Sequence, residues 1–326
     1  MPHLYDKKRK RIIAVIGVQR SGTSAITRGL QVLGVNLGDY IPDIKRQDNE
    51  KGFFEDLEIN ALNIAMLNSI GYTWGNPVPP LFDEDSKRVL SVFISIAKDI
   101  MRRRLESADL FGFKDTLMAL LLPVWKEVFE ETGADVSYVI ACRNPLSVVK
   151  SLQKRDNFDI VKSSYIWLRG MLSSLLYSEG SNRIVVDYDE VMKDPAGQLE
   201  RISNRLGLKF NSESAAFKEY RDNFLSGSLR HTSFGLDEIA ANSDIPPKIT
   251  ELYALLKKLA TDEIELNGIE TKVKIKKIDS WAVELRSTLL YMQALSDALY
   301  SLNAALLEKD RKIAGLTEAI KEKEKE

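Results

Sequence analysis

The chain has 326 residues, which at roughly 150 residues per domain predicts about two domains, and its 44% hydrophobic content is enough to bury a core. Its 46 Lys and Arg against 47 Asp and Glu leave a net charge of -1, so no global field draws it to nucleic acid or an anionic membrane. One cysteine, Cys142, and two histidines, His3 and His231, exclude a disulfide framework and a zinc site built from several Cys and His ligands.

At the N-terminus the basic cluster Lys7 to Arg11 precedes the apolar run Ile12 to Val18, superficially like a signal peptide. The run ends at Gln19 and Arg20 with no small-residue cleavage pattern, and it reads as a buried first strand. No uncharged apolar stretch approaches the roughly 20 residues that a membrane-spanning helix needs. With the sparing use of cysteine, a cytoplasmic location is expected.

Short β-branched runs then alternate with longer helical patterns to about residue 207, the signature of a parallel sheet with helical crossovers. The strand candidates are Ile12 to Val18, Leu110 to Lys114, Val136 to Arg143 and Arg183 to Tyr188. Runs such as Ile12-Ile13-Ala14-Val15-Ile16 are apolar on both alternating faces, as a strand covered on both sides should be. Ile26, Leu30 and Leu33 keep helical spacing up to a stop at Gly34. Asp194 and Pro195 read as an N-cap and first helical residue, with Leu199, Ile202 and Leu206 on one face and Gly207 at the end. Three prolines between Gly75 and Asp85 mark a loop.

Pro246-Pro247 marks a further break, after which no proline follows. Ile249, Leu252, Leu255, Leu256 and Leu259 form an apolar stripe. From Ile278 a heptad runs through Leu285, Met292, Leu299, Leu306, Ile313 and Ile320 at a, with Trp281, Leu295, Leu302 and Leu316 at d. Thr288, Lys309 and Lys323 interrupt d. The pattern predicts a coiled coil over about 278 to 320, or a long helix packed on another helix. The expected fold is therefore α/β: P-loop-like and three-layered, with a central parallel sheet flanked by helices, plus a C-terminal long helix or coiled coil. The expected boundaries are 1–248 for the α/β domain and 249–326 for a helical extension.

The most specific motif is Gly17-Val18-Gln19-Arg20-Ser21-Gly22-Thr23-Ser24, between the first strand and the first helix. Glycines allow a tight turn there, and the loop N–H groups with the helix N-terminus favour a phosphate or sulfate. The spacing copies that of an ATP-binding P-loop, but Thr23 stands where that loop has its lysine. A kinase or ATPase without that lysine loses its main charge compensation, and Arg20 supplies a cation one turn earlier. Such a loop suits a nucleotide with one 5'-phosphate better than a triphosphate. The alternative is an ordinary strand-to-helix turn.

Arg20-Ser21-Gly22-Thr23-Ser24 resembles the 5'-phosphosulfate loop of the sulfotransferase superfamily, whose donor is 3'-phosphoadenosine 5'-phosphosulfate (PAPS). Arg143-Asn144-Pro145 with Ser151 resembles the strand-to-helix element that binds the 3'-phosphate in that family. Arg offers a planar charged fork and Ser a hydroxyl, a sensible pair for a doubly charged group. Asn49 to Asp56 is similar to a stretch that bacterial members carry before their acceptor-site helix. Gly112-Phe113-Lys114-Asp115 is similar to a Lys-Asp-Pro segment, with Thr116 in place of the proline. Val186-Asp187-Tyr188 followed by Asp194-Pro195 resembles an element near the adenosine, and Leu229-Arg230-His231 a weaker cofactor-contact segment. The resemblance spans roughly residues 11 to 235. It departs from the cytosolic branch in having Arg20 for the loop lysine, no histidine at the usual base position and no C-terminal Arg-Lys-Gly element.

What the resemblance implies is a PAPS-dependent sulfotransferase. The implied cofactor-binding residues are Arg20, Ser21, Gly22, Thr23, Ser24, Arg143, Ser151, Tyr188 and Arg230. The reaction is expected to be an in-line displacement without a metal, catalysed by positioning and by stabilisation of charge on the leaving phosphate. Arg20 and Lys114 are the candidate charge stabilisers. Glu55, then Asp56, is the candidate base, each alternatively a helix N-terminal acid facing the dipole. Phe53, Phe54, Tyr72 and Trp74 line an acceptor site or belong to the core, and a glycan or glycolipid precursor is the expected acceptor. Self-association or a partner enzyme is expected at the coiled coil. Two other readings stay open: a non-catalytic nucleotide-binding module that assembles through the coiled coil, and a nucleotide or sugar kinase with an atypical loop.

Overall fold

In the computed structural model, which describes residues 9–39, 54–225 and 234–323, strand β1 (Arg11–Gly17) is buried at every residue after Arg11. Helices α1 (Thr23–Val32), α2 (Leu57–Ser69) and α3 (Glu84–Ser107) precede β2 (Leu110–Lys114). Helix α4 (Met118–Thr132) leads into β3 (Asp135–Cys142), and α5 (Pro145–Asp156) with α6 (Ile160–Tyr177) into β4 (Asn182–Asp187). There follow α7 (Tyr188–Lys193), α8 (Pro195–Leu206), α9 (Ala215–Glu219) and a π-helical turn, Tyr220–Phe224. The last helices are α10 (Leu236–Ala240), α11 (Pro247–Ala260), α12 (Ile269–Glu284) and α13 (Arg286–Lys323).

The four strands are parallel in the order β2-β1-β3-β4, with the intervening helices as the crossovers that parallel pairing requires. Ile13, Val15, Val139, Ala141, Ile184 and Val186 share one core with α1, α7 and α8. Their alternating neighbours Ile12, Ala14, Ile16, Tyr138, Ile140 and Val185 are buried too, so the sheet is the middle of three layers. The chain leaves β1 toward β2 and leaves β3 toward β4. The crevice between the carboxyl ends of β1 and β3 is therefore the topological switch point, where open α/β sheets bind ligands.

β2 has the predicted bounds, whereas β1, β3 and β4 end one residue earlier than the sequence predicts, for local reasons. Gly17 departs from extended geometry at φ 145, and Asn144 caps α5 by accepting the Leu146 N–H at 2.9 Å, which releases Arg143 from β3. Asp187 accepts the Asp189 N–H at 2.8 Å, so Tyr188 opens a helix instead of closing a strand.

The chain divides into two units, Met1–Ser280 and Trp281–Glu326. This division differs from the expected boundary at 248/249 because Ile249, Leu252, Leu256 and Leu259 of α11 are buried and α11 packs on β4. Arg201 holds that region through Asp262 (2.6 Å) and the Leu259 carbonyl (2.9 Å). The expected seam from Ile278 is not one continuous helix. It is interrupted at Leu285, and Ile278 is buried whereas Met292, Leu295, Leu299, Leu302, Leu306, Ile313 and Leu316 are exposed. Among the described residues, no helix is long and apolar enough to cross a membrane.

Candidate functional site

The loop from β1 to α1 is built by backbone constraints. A Cβ on Gly17 would lie 2.4 Å from the Ala141 carbonyl oxygen, so only glycine lets β1 and β3 close together at the mouth of the crevice. Arg20 has φ 69, a left-handed conformation that non-glycine residues seldom adopt and that concentrates at functional sites. Gly22, at φ 76, occupies the N-cap of α1 and offers no side chain to its first N–H groups. The Ser21 hydroxyl is fully buried and has no hydrogen-bond partner among the described residues. An orphaned donor beside an uncapped helix start is the chemistry that an anion completes. Thr23, in place of a P-loop lysine, is buried and brings no charge.

Arg143 follows β3 and is 8% exposed. One of its Nη atoms points at the Arg20 carbonyl (3.4 Å), and its guanidinium lies 4.6 Å from the centre of the Tyr188 ring. The same ring packs on Gly22, where a Cβ would come within 2.0 Å of it. Arg20 Nε donates to Ser151 Oγ at 2.8 Å. Arg20, Gly22, Arg143, Ser151 and Tyr188, drawn from four separate segments, thus converge at the switch point. Ser151, which the resemblance pairs with Arg143 at one phosphate, is bonded to Arg20 here. Cys142 is wholly buried, and burial pushes its thiol well above the ordinary range, which makes it inert as a nucleophile.

A second cluster sits beside β1 at the end of β2. Lys114 pairs with Val15 in the sheet, and its Nζ lies 2.7 Å from Glu55 Oε1. Lys114 is buried whereas Glu55 keeps 22% of its side chain exposed. Next to them Asp115 is buried, accepting Asn60 Nδ2 at 2.9 Å and the Leu117 N–H at 2.7 Å. Its carboxyl is pushed up to about 6, first by burial and then by the negative charge of Glu55.

Asp56 has a different place. Its Oδ1 caps α2 by accepting the Glu58 N–H (3.0 Å) and Ile59 N–H (3.2 Å), and Arg104 forks onto both oxygens at 2.7 and 3.0 Å. Both oxygens of this buried carboxylate are thus committed to the start of α2 and to Arg104. Phe54 packs edge-on against Phe224 (5.7 Å), on the core side. Trp74 stacks on Phe158 (5.1 Å) under the Arg155 guanidinium. Arg230, His231 and Phe53 lie outside the described residues. Sequence reasoning missed Asn60 and Arg104, whose partners stand 55 and 48 residues away. It named Asp115 only as part of a motif.

No family model and no curated protein matches the sequence. Among solved structures, the chain is similar to the sulfotransferase domain of the Synechococcus PCC 7002 olefin synthase, at 17% identity and TM-score 0.43, over 78% of this chain and 98% of that one. It is also similar to a retinol dehydratase in complex with androsterone and the inactive cofactor PAP, at 13% identity and TM-score 0.33, over 85% and 82%. A sugar kinase from Janibacter sp. HTCC2649 is similar as well, at 18% identity and TM-score 0.36, over 61% and 95%. At these identities and scores the likenesses decide neither reaction nor substrate.

Proposed function

We propose that the chain is a PAPS-dependent sulfotransferase that transfers a sulfuryl group to a hydroxyl or amine. The observation that carries this reading is the convergence of Arg20, Ser151 and Arg143 on a phosphate-type loop without lysine. Two permanently charged guanidiniums in one crevice, with a buried orphan hydroxyl at Ser21, suit a nucleotide phosphorylated at two positions.

In this account Arg20 and Ser21 to Ser24 hold the 5'-side of the donor, Arg143 its 3'-phosphate, and Tyr188 the adenosine side. Ser151 links the two halves. The donor supplies the sulfuryl group: its bond to the 5'-phosphate oxygen breaks as the acceptor oxygen or nitrogen bonds to sulfur. Glu55 takes the acceptor's proton, and Lys114 orients that carboxylate through their 2.7 Å contact. Arg20 and the loop N–H groups balance the charge left on the 5'-phosphate.

The acceptor in this proposal is a glycan or glycolipid precursor, and the protein works in the cytoplasm. The exposed apolar residues of α13, from Met292 to Leu316, serve association with a second copy. Incubation of the purified chain with sulfur-labelled PAPS and a panel of hydroxyl and amine acceptors tests the reading, which expects label in a glycan-type product. Tight binding of adenosine 3',5'-bisphosphate without transfer to any acceptor would favour the non-catalytic module instead.

A further inference from the structure

Directly behind Arg143 and Tyr188 lies a buried polar network. Asp187, the last residue of β4, is fully buried, and both of its oxygens are engaged. Oδ1 accepts the N–H groups of Asp189 (2.8 Å) and Glu190 (3.2 Å), while Oδ2 accepts the Tyr253 hydroxyl (3.2 Å) and the Cys142 thiol (3.7 Å). Cys142 and Asp187 are register partners, and each immediately precedes a residue of the nucleotide site.

Tyr253 comes from α11, which the sequence pattern places in the helical extension. Its ring meets Trp167 edge-on at 6.3 Å, and Trp167 Nε1 donates to the Arg143 carbonyl at 3.1 Å. A single α11 side chain is thus connected to the ends of both strands, to β4 through a carboxylate and to β3 through an indole. A buried carboxylate is costly to leave short of donors, so the hydroxyl that completes Asp187 also fixes the first turn of α7. Lys257, one turn further along α11, offsets the charge and is paired with Glu190 at 2.5 Å.

We propose that Tyr253 is a positioning residue for recognition of the nucleotide's 3'-phosphate, acting through Asp187 on Tyr188 and through Trp167 on Arg143. The inference rests on the 3'-phosphoadenosine reading of the site. Without the hydroxyl, Asp187 Oδ2 retains, among the described residues, a weak thiol donor. The turn that carries Tyr188 then loosens, and the Arg143 guanidinium stacked on it loses its support.

The test is calorimetric titration of the full chain with adenosine 3',5'-bisphosphate and with AMP, in the wild type, Tyr253→Phe, Asp187→Asn and the double variant. Phenylalanine keeps the ring against Trp167, and thermal denaturation verifies the fold. The wild type should prefer the bisphosphate. Tyr253→Phe should cut that preference by about tenfold, with AMP, which shares only the Tyr188 contact, weakened far less than the bisphosphate. The same change made on Asp187→Asn should add little, because both act along one route. A preference that survives Tyr253→Phe, equal weakening of both nucleotides, or fully additive losses would overturn the inference. A wild type without preference would overturn the site reading and this inference together. Should Asp187→Asn fail to fold, Tyr253→Phe alone decides.

Discussion

Arg20 Nε donates to Ser151 Oγ at 2.8 Å, tying the loop after β1 to the second turn of α5 across 131 residues. The bond joins the two phosphate-type elements of the crevice into one unit. In the proposed reading, a ligand that engages Arg20 also fixes the helix that follows Arg143, so one donor molecule would be sensed at both of its ends.

Glu55→Gln preserves side-chain length and removes proton affinity. Turnover with labelled PAPS is expected to fall roughly 100-fold while the affinity for adenosine 3',5'-bisphosphate stays unchanged. Parallel kinetics and calorimetry check this, and undiminished turnover would assign the proton to another group.

Asp115 gives stability a pH dependence of known sign. Its carboxyl rises from 3.8 to about 6 in the folded protein, so the folded state holds the proton more tightly than the unfolded one. The stabilisation is fully present below the unfolded value and is lost as pH rises through 6, a change on the order of 3 kcal/mol. Thermal denaturation between about pH 4 and 7 should show this loss in the wild type relative to Asp115→Asn, which cannot titrate. Identical slopes in the two proteins would contradict it.

Removal of the second unit should leave nucleotide binding intact. A chain ending at Ser280 keeps α11 and Tyr253 while shedding α13, whose exposed leucines and isoleucines each forfeit roughly 1.5 to 3 kcal/mol of burial unless covered. Light scattering should give a multiple of the chain mass for the full protein and a single chain mass for the shortened one. Single-chain masses for both would remove self-association from the account.

The strands were legible because a parallel sheet buried on both faces demands unbroken apolar runs, and Ile12 to Ile16 is such a run. The loop after β1 was legible because close backbone approach restricts Gly17 and Gly22 at fixed spacing. What stayed hidden depended on contacts between distant segments. Nothing near Asp56 announces Arg104, and nothing near Asp115 announces that Glu55 raises its pKa. Periodicity reports that a helix has an apolar face, not what covers it. The stripe from Ile249 to Leu259 reads as part of an extension although it is buried within the first unit, and Ile278 reads as the start of a seam whose later residues are exposed while it is buried.

The central claim is that one crevice reads a nucleotide at two phosphates, and the most direct measurement is calorimetric titration of the wild type and Arg143→Ala with adenosine 3',5'-bisphosphate and with AMP. The account predicts that the wild type binds the bisphosphate far more tightly. Arg143→Ala should lose one to two decades of affinity for it, as expected for a charge-assisted hydrogen bond of about 1.5 to 3 kcal/mol, and little for AMP. Equal affinity of the wild type for the two nucleotides would contradict the account.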